Sequence, residues 1–380
     1  MVQAREEPLA ELWGIRNQDI PLYLEREKFL ASGDGIIKQF LPNSSFGRSY
    51  IDVIKNEIII NTVNQSMIPY IRNESQIQPY LDVLSFKPVT KSLETLQTSL
   101  DQIFDLANVN DVDEAIFGLF PEENNNIIYM YEESKEINQA FINAVEQYGP
   151  KIIFHPREIS LNTEISINKR NLDILLLGGD GLFNQVKRRS IGFLAKAKNE
   201  TKNYIVTVEH CRKESGDDTE FFYGAWNKPR TNELVGPMLS DVNEHYDFGL
   251  IDLSNMSKSL KTLPAIRNAD SEQFPELYIN DDGVHLCKSG YTTHVTCGFV
   301  KAFDVIYYAG DGEFDSGLIM TSMDGQDGDS GGTVFAYSNL NTVILNGILV
   351  YAIGNINTMI LPLNMIIEHG NVEPITASNI

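Results

Sequence analysis

The sequence predicts a mixed α+β segment over residues 1–170 and an all-β region over residues 171–380. Three observations carry this. In the first 170 residues, stretches of helical apolar spacing sit beside β-branched runs. From Ile174 onward, short apolar runs alternate with clusters of Gly, Asn, Asp and Ser, the texture of many short strands joined by turns in a sandwich or barrel. A length of 380 residues also suits two domains better than one.

The elements follow in order. Gln18 to Ser32 reads as a helix with Pro21 near its first turn. Tyr50 to Ile54 and Ile58 to Val63 flank Lys55-Asn56-Glu57 and predict a hairpin. Lys91 to Ala107 has helical spacing, and Ile127 to Tyr131 reads as a strand. Lys135 to Tyr148 reads as a helix with Ile137, Ala140, Phe141, Ala144 and Val145 on one core-facing side. In the second region, strands are expected at Tyr204 to Val208, Phe248 to Leu253, Thr296 to Tyr308, Thr333 to Tyr337, Val343 to Ile353 and Thr358 to Leu361. Lys169-Arg170 marks the change of texture. It reads either as a dibasic processing site or as two solvated charges before a strand.

Composition narrows the function classes. The formal net charge of -22 argues against nucleic acid, since phosphate binding needs a basic surface. No apolar run reaches the roughly 18 residues of a membrane span. Met1 to Leu12 is too charged to be a signal peptide. The expectation is a secreted protein whose signal has been removed, with no membrane partner. Sequons at Asn43, Asn64, Asn73, Asn199 and Asn255 agree with that route and also arise by chance in an Asn-rich chain.

The strongest chemical signal is Gly328-Asp329-Ser330-Gly331-Gly332. Acyl transfer needs an exposed hydroxyl beside backbone N–H groups aimed at a developing oxyanion. A glycine two before the serine turns its N–H toward that point with no Cβ in the way. The N–H of Ser330 supplies a second donor. The bland alternative is a polar turn, because Gly, Asp and Ser populate turns.

A nucleophilic serine needs a base, and the chain has 6 histidines. His210 ends the apolar run Ile205 to Val208, where a strand presents a side chain to a cleft. Asp247 leads into the run Phe248 to Leu253, a suitable place for the carboxylate that orients the base. Alone, His210 reads as structural and Asp247 as a strand-start turn. Their chain order with Ser330 is that of one known triad arrangement. His155, His245, His285, His294 and His369 lack such a setting.

With these residues in view, Leu175 to Leu363 resembles the chymotrypsin-like serine peptidases, in particular the streptogrisin and α-lytic group. Gly178-Gly179-Asp180 resembles that group's mature start, Ser190 to Phe193 its first strand, and Cys287 to Gly298 its short disulfide loop. The resemblance implies two antiparallel β-barrels with the site between them, peptide substrates, no cofactor and no metal. It also implies a Cys287–Cys297 bridge, closing a nine-residue loop worth on the order of 2–3 kcal/mol and pointing to an oxidising compartment. More faintly, residues 10 to 165 resemble the group's pro-regions, which template folding and act as an intramolecular inhibitor until cut.

Departures accompany the likeness. Cys211 follows His210, while Arg189 stands where relatives carry its disulfide partner, so Cys211 is expected to be a lone thiol. Glu209 precedes His210 where small residues are usual, and it either raises the imidazole's pKa or faces solvent. Gly347 to Ala352 is the expected substrate-pairing edge. Val350, Tyr351 and Ala352 replace smaller residues there, which favours modest side chains in the specificity pocket. Asp324, six before Ser330, reads either as the acid at the base of that pocket or as a solvated loop acid. The alternative to a peptidase is a secreted binding protein on a peptidase-like scaffold that has lost catalysis.

Overall fold

The computed structural model describes residues 7–157, 174–185, 187–213, 219–228, 230–240, 242, 246–268, 284–310, 312–339, 342–353 and 357–376. The Lys169-Arg170 pair, His245 and the side chain of Cys211 lie outside the described residues. The chain divides into two compact units. One is Met1–Arg157 with Asn280–His285 and Phe299–Met320, and the other is Glu158–Ile279 with Leu286–Gly298 and Thr321–Ile380.

The first unit mixes helix and sheet. The helix Ile20–Ile37 starts with Pro near its first turn and runs a turn and a half past the expected Ser32. The expected hairpin is the Phe46–Asp52 strand against Glu57–Thr62, with Asn56 at φ 60° in the turn. Asn is among the few non-glycine residues that accept that conformation. Leu84–Pro88 adds a parallel third strand. Ser92 caps the helix Leu93–Val109, its hydroxyl accepting from Thr95 N–H. Ala115–Phe120 pairs with Asn125–Tyr131, which pairs in parallel with Lys151–His155. On its other edge Ala115–Phe117 pairs with Ile306–Tyr308. Ile103, Ala107, Phe117, Ile128, Phe141, Val145 and Tyr308 form the core there.

One helix differs from its expected span. Lys135 to Tyr148 does not form one continuous helix: turns precede Asn138, and the α-helix is Gln139–Val145. The buried Asn138 side chain bonds Asp113, holding the chain out of helical geometry until that point. The core face is therefore Phe141 and Val145 with Ile142 packed against them, while Ile137 is 71% exposed and Ala140 also faces outward.

The second unit is built of short strands. One antiparallel sheet runs Gly249–Asp252, Asn203–Thr207, Phe193–Ala197, Val372–Pro374. A second runs Leu234–Pro237, Glu220–Gly224, Gly181–Phe183, Arg188–Ser190. Residues Cys287–Ser289 pair with the Thr333–Asn339 strand, which pairs with Thr342–Ile353, and that pairs with Asn357–Pro362. One pairing departs from the antiparallel expectation: Ile174–Gly178 runs parallel to Leu260–Ile266. The two strands are clamped where both end, by the bidentate ion pair of Arg267 with the buried Asp180.

Candidate active site

The register of two neighbouring strands brings the first two site residues together. Thr207 pairs with Gly249, so the chain just after the one strand meets the chain just before the other. Asp247 is the residue that closes this gap. Its Oδ1 accepts the backbone N–H groups of Glu209 and His210, each at 2.9 Å. Its Oδ2 stands 2.5 Å from His210 Nδ1. Burial pushes the Asp247 carboxyl up, but the adjacent imidazole and these hydrogen bonds outweigh that and hold it below its ordinary value. The ring is thereby fixed with Nδ1 inward and Nε2 directed away from the carboxylate. The His210 side chain retains 22% exposure against 8% for Asp247.

Ser330 sits in a turn tied to the same strands. Gly331 N–H donates to Leu349 O at 2.7 Å, and Leu349 N–H donates back to Gly332 O at 3.0 Å. On the other flank Ser190 N–H donates to Ser330 O at 2.9 Å, and Ser190 Oγ donates to Gly328 O at 2.7 Å. Thr207 Oγ1 donates to Ser190 O at 2.9 Å. The strand that delivers His210 is thus two hydrogen bonds from the serine turn. Tyr351, two residues past Leu349, stacks on the His210 ring with centroids 6.0 Å apart. Among the described residues the Ser330 hydroxyl and His210 Nε2 make no hydrogen bond to each other.

The glycines at this turn are needed. Gly331 has φ 85°, and a Cβ there would meet Thr207 Oγ1 at 2.1 Å and Ser190 O at 2.6 Å. Gly328 has φ 96°, and a Cβ would meet Thr292 Oγ1 at 2.5 Å. Among the described residues, neither the Gly328 N–H nor the Ser330 N–H donates a hydrogen bond. Two adjacent donors without acceptors suit an anion.

The residue between them holds the turn from inside. Asp329 is fully buried. It accepts Thr292 N–H at 2.8 Å, Thr293 N–H at 3.0 Å, Thr293 Oγ1–H at 2.6 Å and Gln326 N–H at 3.0 Å. The buried Lys288 ammonium faces it at 3.5 Å. Burial pushes that ammonium down from its ordinary value, against the pull of Asp329 and Asp324. Sequence reasoning passed over Lys288, Ser190 and the Thr292-Thr293 pair. Lys288 carries one signal: a charged residue beside Cys287 in a strand whose neighbours are all buried.

The remaining candidates fall as follows. Cys287 and Cys297 are joined in a disulfide. Val350 is buried, Tyr351 is half-buried and Ala352 is exposed. Pairing with Thr333–Asn339 stops at Ile348, so among the described residues Val350 to Ile353 have a partner strand on one edge. Asp324 is not the solvated acid of the second alternative, since its Oδ1 is buried with no hydrogen-bond partner. Glu209 also does not face solvent: it is buried, and Arg212 Nη2 donates to its carboxylate at 2.9 Å.

No protein-family model matches the chain. In sequence it is similar to streptogrisin-D of Streptomyces griseus, 25% identical over 162 residues, 43% of this chain and 38% of that protein. It is also similar to serine protease 2 of Streptomyces fradiae, 27% identical over 166 residues, 43% of this chain and 89% of that protein. The chain thus spans well under half the length of the first relative and most of the second. Among solved structures, the Nocardiopsis protease NAPase is 20% identical, covering 53% of this chain and 100% of that one at a TM-score of 0.43. Thermobifida fusca protease A is 18% identical, covering 54% of this chain and 100% of that one at a TM-score of 0.42. The likeness to chymotrypsin-like bacterial serine proteases expected from the motifs is what these relatives share.

Proposed function

We propose that this chain is a serine endopeptidase with His210, Asp247 and Ser330 as its triad. The observation that carries the reading is the Asp247-held imidazole, set on a strand tied to a serine turn that presents two uncommitted N–H groups. Ser330 Oγ attacks the peptide carbonyl carbon while His210 Nε2 takes its proton. The N–H groups of Gly328 and Ser330 hold the oxyanion. Collapse breaks the C–N bond, and the departing amine takes the proton from His210. Water, deprotonated by His210, then cleaves the acyl-enzyme and restores the Ser330 hydroxyl. Asp247 keeps the imidazole in the required tautomer and offsets its charge. An extended substrate pairs along the free edge at Val350 to Ala352. The four-stranded antiparallel sheets of the second unit support the double-barrel reading of its architecture.

Ser330→Ala is expected to lower kcat at least ~10³-fold with the fold intact. A fluorophosphonate probe should label Ser330 of the wild type. Unchanged hydrolysis in the variant ends the triad reading, and an unlabelled Ser330 in the wild type favours the silent binding protein.

The N-terminal half is read as a pro-region of a secreted zymogen. The α+β unit preceding the β-rich one, the disulfide and the dibasic pair Lys169-Arg170 support this. Secreted active material should begin between Asn171 and Gly178 by N-terminal sequencing. Full activity in the uncut chain would remove the inhibitory role.

A further inference from the structure

The serine turn is flanked by two strands with different duties. Gly331 N–H is bonded to Leu349 on one flank, and Ser330 O is bonded to Ser190 on the other. If the acyl half of a substrate lies along Val350 to Ala352, its leaving half departs over the flank formed by Arg188–Ser190. This inference therefore rests on the peptidase reading above.

Arg188 stands on that flank beside Gly328. Its Nε lies 3.2 Å, and its Cγ 3.3 Å, from the point where a Cβ of residue 328 would stand. The half-buried guanidinium is thus next to the N–H assigned to the oxyanion. Thr292 closes the other side of that glycine and donates its hydroxyl to Asp327 O at 2.7 Å.

The neighbouring charges are engaged elsewhere. Arg189 is turned inward, its side chain 5% exposed, with Nη1 donating to Arg188 O at 2.8 Å and to Asp327 at 3.1 Å. Asp329 is enclosed by Lys288 and the Thr292-Thr293 backbone. The two acids nearest this flank, Asp327 and Asp329, thus each face a cation other than Arg188. An extended chain advances about 3.3 Å per residue, so a charge beside the oxyanion site reaches only the first two residues past the scissile bond.

We propose that Arg188 is a specificity-determining residue that selects an acidic side chain at the first or second position after the scissile bond. A carboxylate there meets a guanidinium in a partly desolvated setting, where the attraction exceeds that of a fully exposed pair.

The test uses protein obtained from the full chain and two quenched peptides. They differ only in carrying Glu or Gln at both positions after the scissile bond. Wild type is expected to favour the Glu peptide in kcat/KM by roughly three- to tenfold, the range of a partly exposed ion pair. That ratio should shrink as salt is raised. Arg188→Lys should retain a preference for Glu, Arg188→Gln should bring the ratio near one, and Arg188→Glu should invert it. Fluorophosphonate titration of Ser330 normalises each variant for folded sites. A wild-type ratio near one, a salt-independent ratio, or an unchanged ratio in the Gln and Glu variants overturns the role of Arg188 and leaves the peptidase reading standing. Absence of both hydrolysis and labelling in wild type overturns the two together.

Discussion

His210 and His285 each place Nδ1 2.5 Å from a carboxylate oxygen, Asp247 Oδ2 in one case and Glu27 Oε2 in the other. In each pair the carboxylate's second oxygen accepts the histidine's own backbone N–H, at 2.9 Å for His210 and 2.8 Å for His285. The surroundings differ. The His285 side chain is 2% exposed, and the edge-on ring of Trp13 lies 5.5 Å from it. His210 is 22% exposed, stacks its face on Tyr351 and lies one residue past a strand end tied to the Ser330 turn. A carboxylate-oriented imidazole is therefore not by itself a catalytic device. It becomes one where the far nitrogen has access to a reacting atom. Where the ring is enclosed, the same geometry satisfies a buried polar group and holds a helix to a strand.

The sharpest way to break this comparison is to remove the charge from each carboxylate in turn. Asp247→Asn should lower kcat by about 10³–10⁴-fold, because the imidazole loses the partner that sets its tautomer. Glu27→Gln should leave activity per labelled Ser330 within about twofold and lower the unfolding free energy by about 1–3 kcal/mol, the cost of a weakened buried hydrogen bond. Kinetics normalised by active-site titration, with urea unfolding of both variants, separate the two. A comparable kcat loss in Glu27→Gln would show that the enclosed pair serves the chemistry, and an unimpaired Asp247→Asn would remove Asp247 from the triad.

What the sequence disclosed follows how far apart the interacting residues lie. Gly328 to Gly332 was legible because five adjacent residues define the turn, and their conformational demands are local. The strands around His210 and Asp247 were legible from apolar runs, so the pairing of the two residues followed from position. The Glu27–His285 pair was not, since its partners lie 258 residues apart and each has an ordinary neighbourhood in sequence. Lys288 was missed for a related reason: an alternating strand residue with charge reads as solvent-facing until Asp329 is seen behind it. The helix over Lys135 to Tyr148 was overextended because periodicity does not register a competing side-chain bond such as Asn138 to Asp113. Glu209 left two alternatives in sequence, and the short-range partner Arg212 excludes solvent exposure.

A smaller effect sharpens the catalytic side of the comparison. The folded state holds the Asp247 carboxyl below its ordinary value of 3.8, with burial opposed and outweighed by His210 and the backbone donors. A depressed carboxylate means the unfolded chain binds the proton more readily than the folded one, so stability rises with pH across that interval. The contribution of ionised Asp247 is fully present above 3.8 and is lost as pH falls through the folded value. In urea unfolding, the difference between wild type and Asp247→Asn should therefore stay constant from neutral pH down to about 5 and shrink below 3.8. A difference that stayed flat through that acid window would mean that the contact holding His210 in place is neutral in character. Asp247 would then orient the ring without supplying the charge that the mechanism assigns to it.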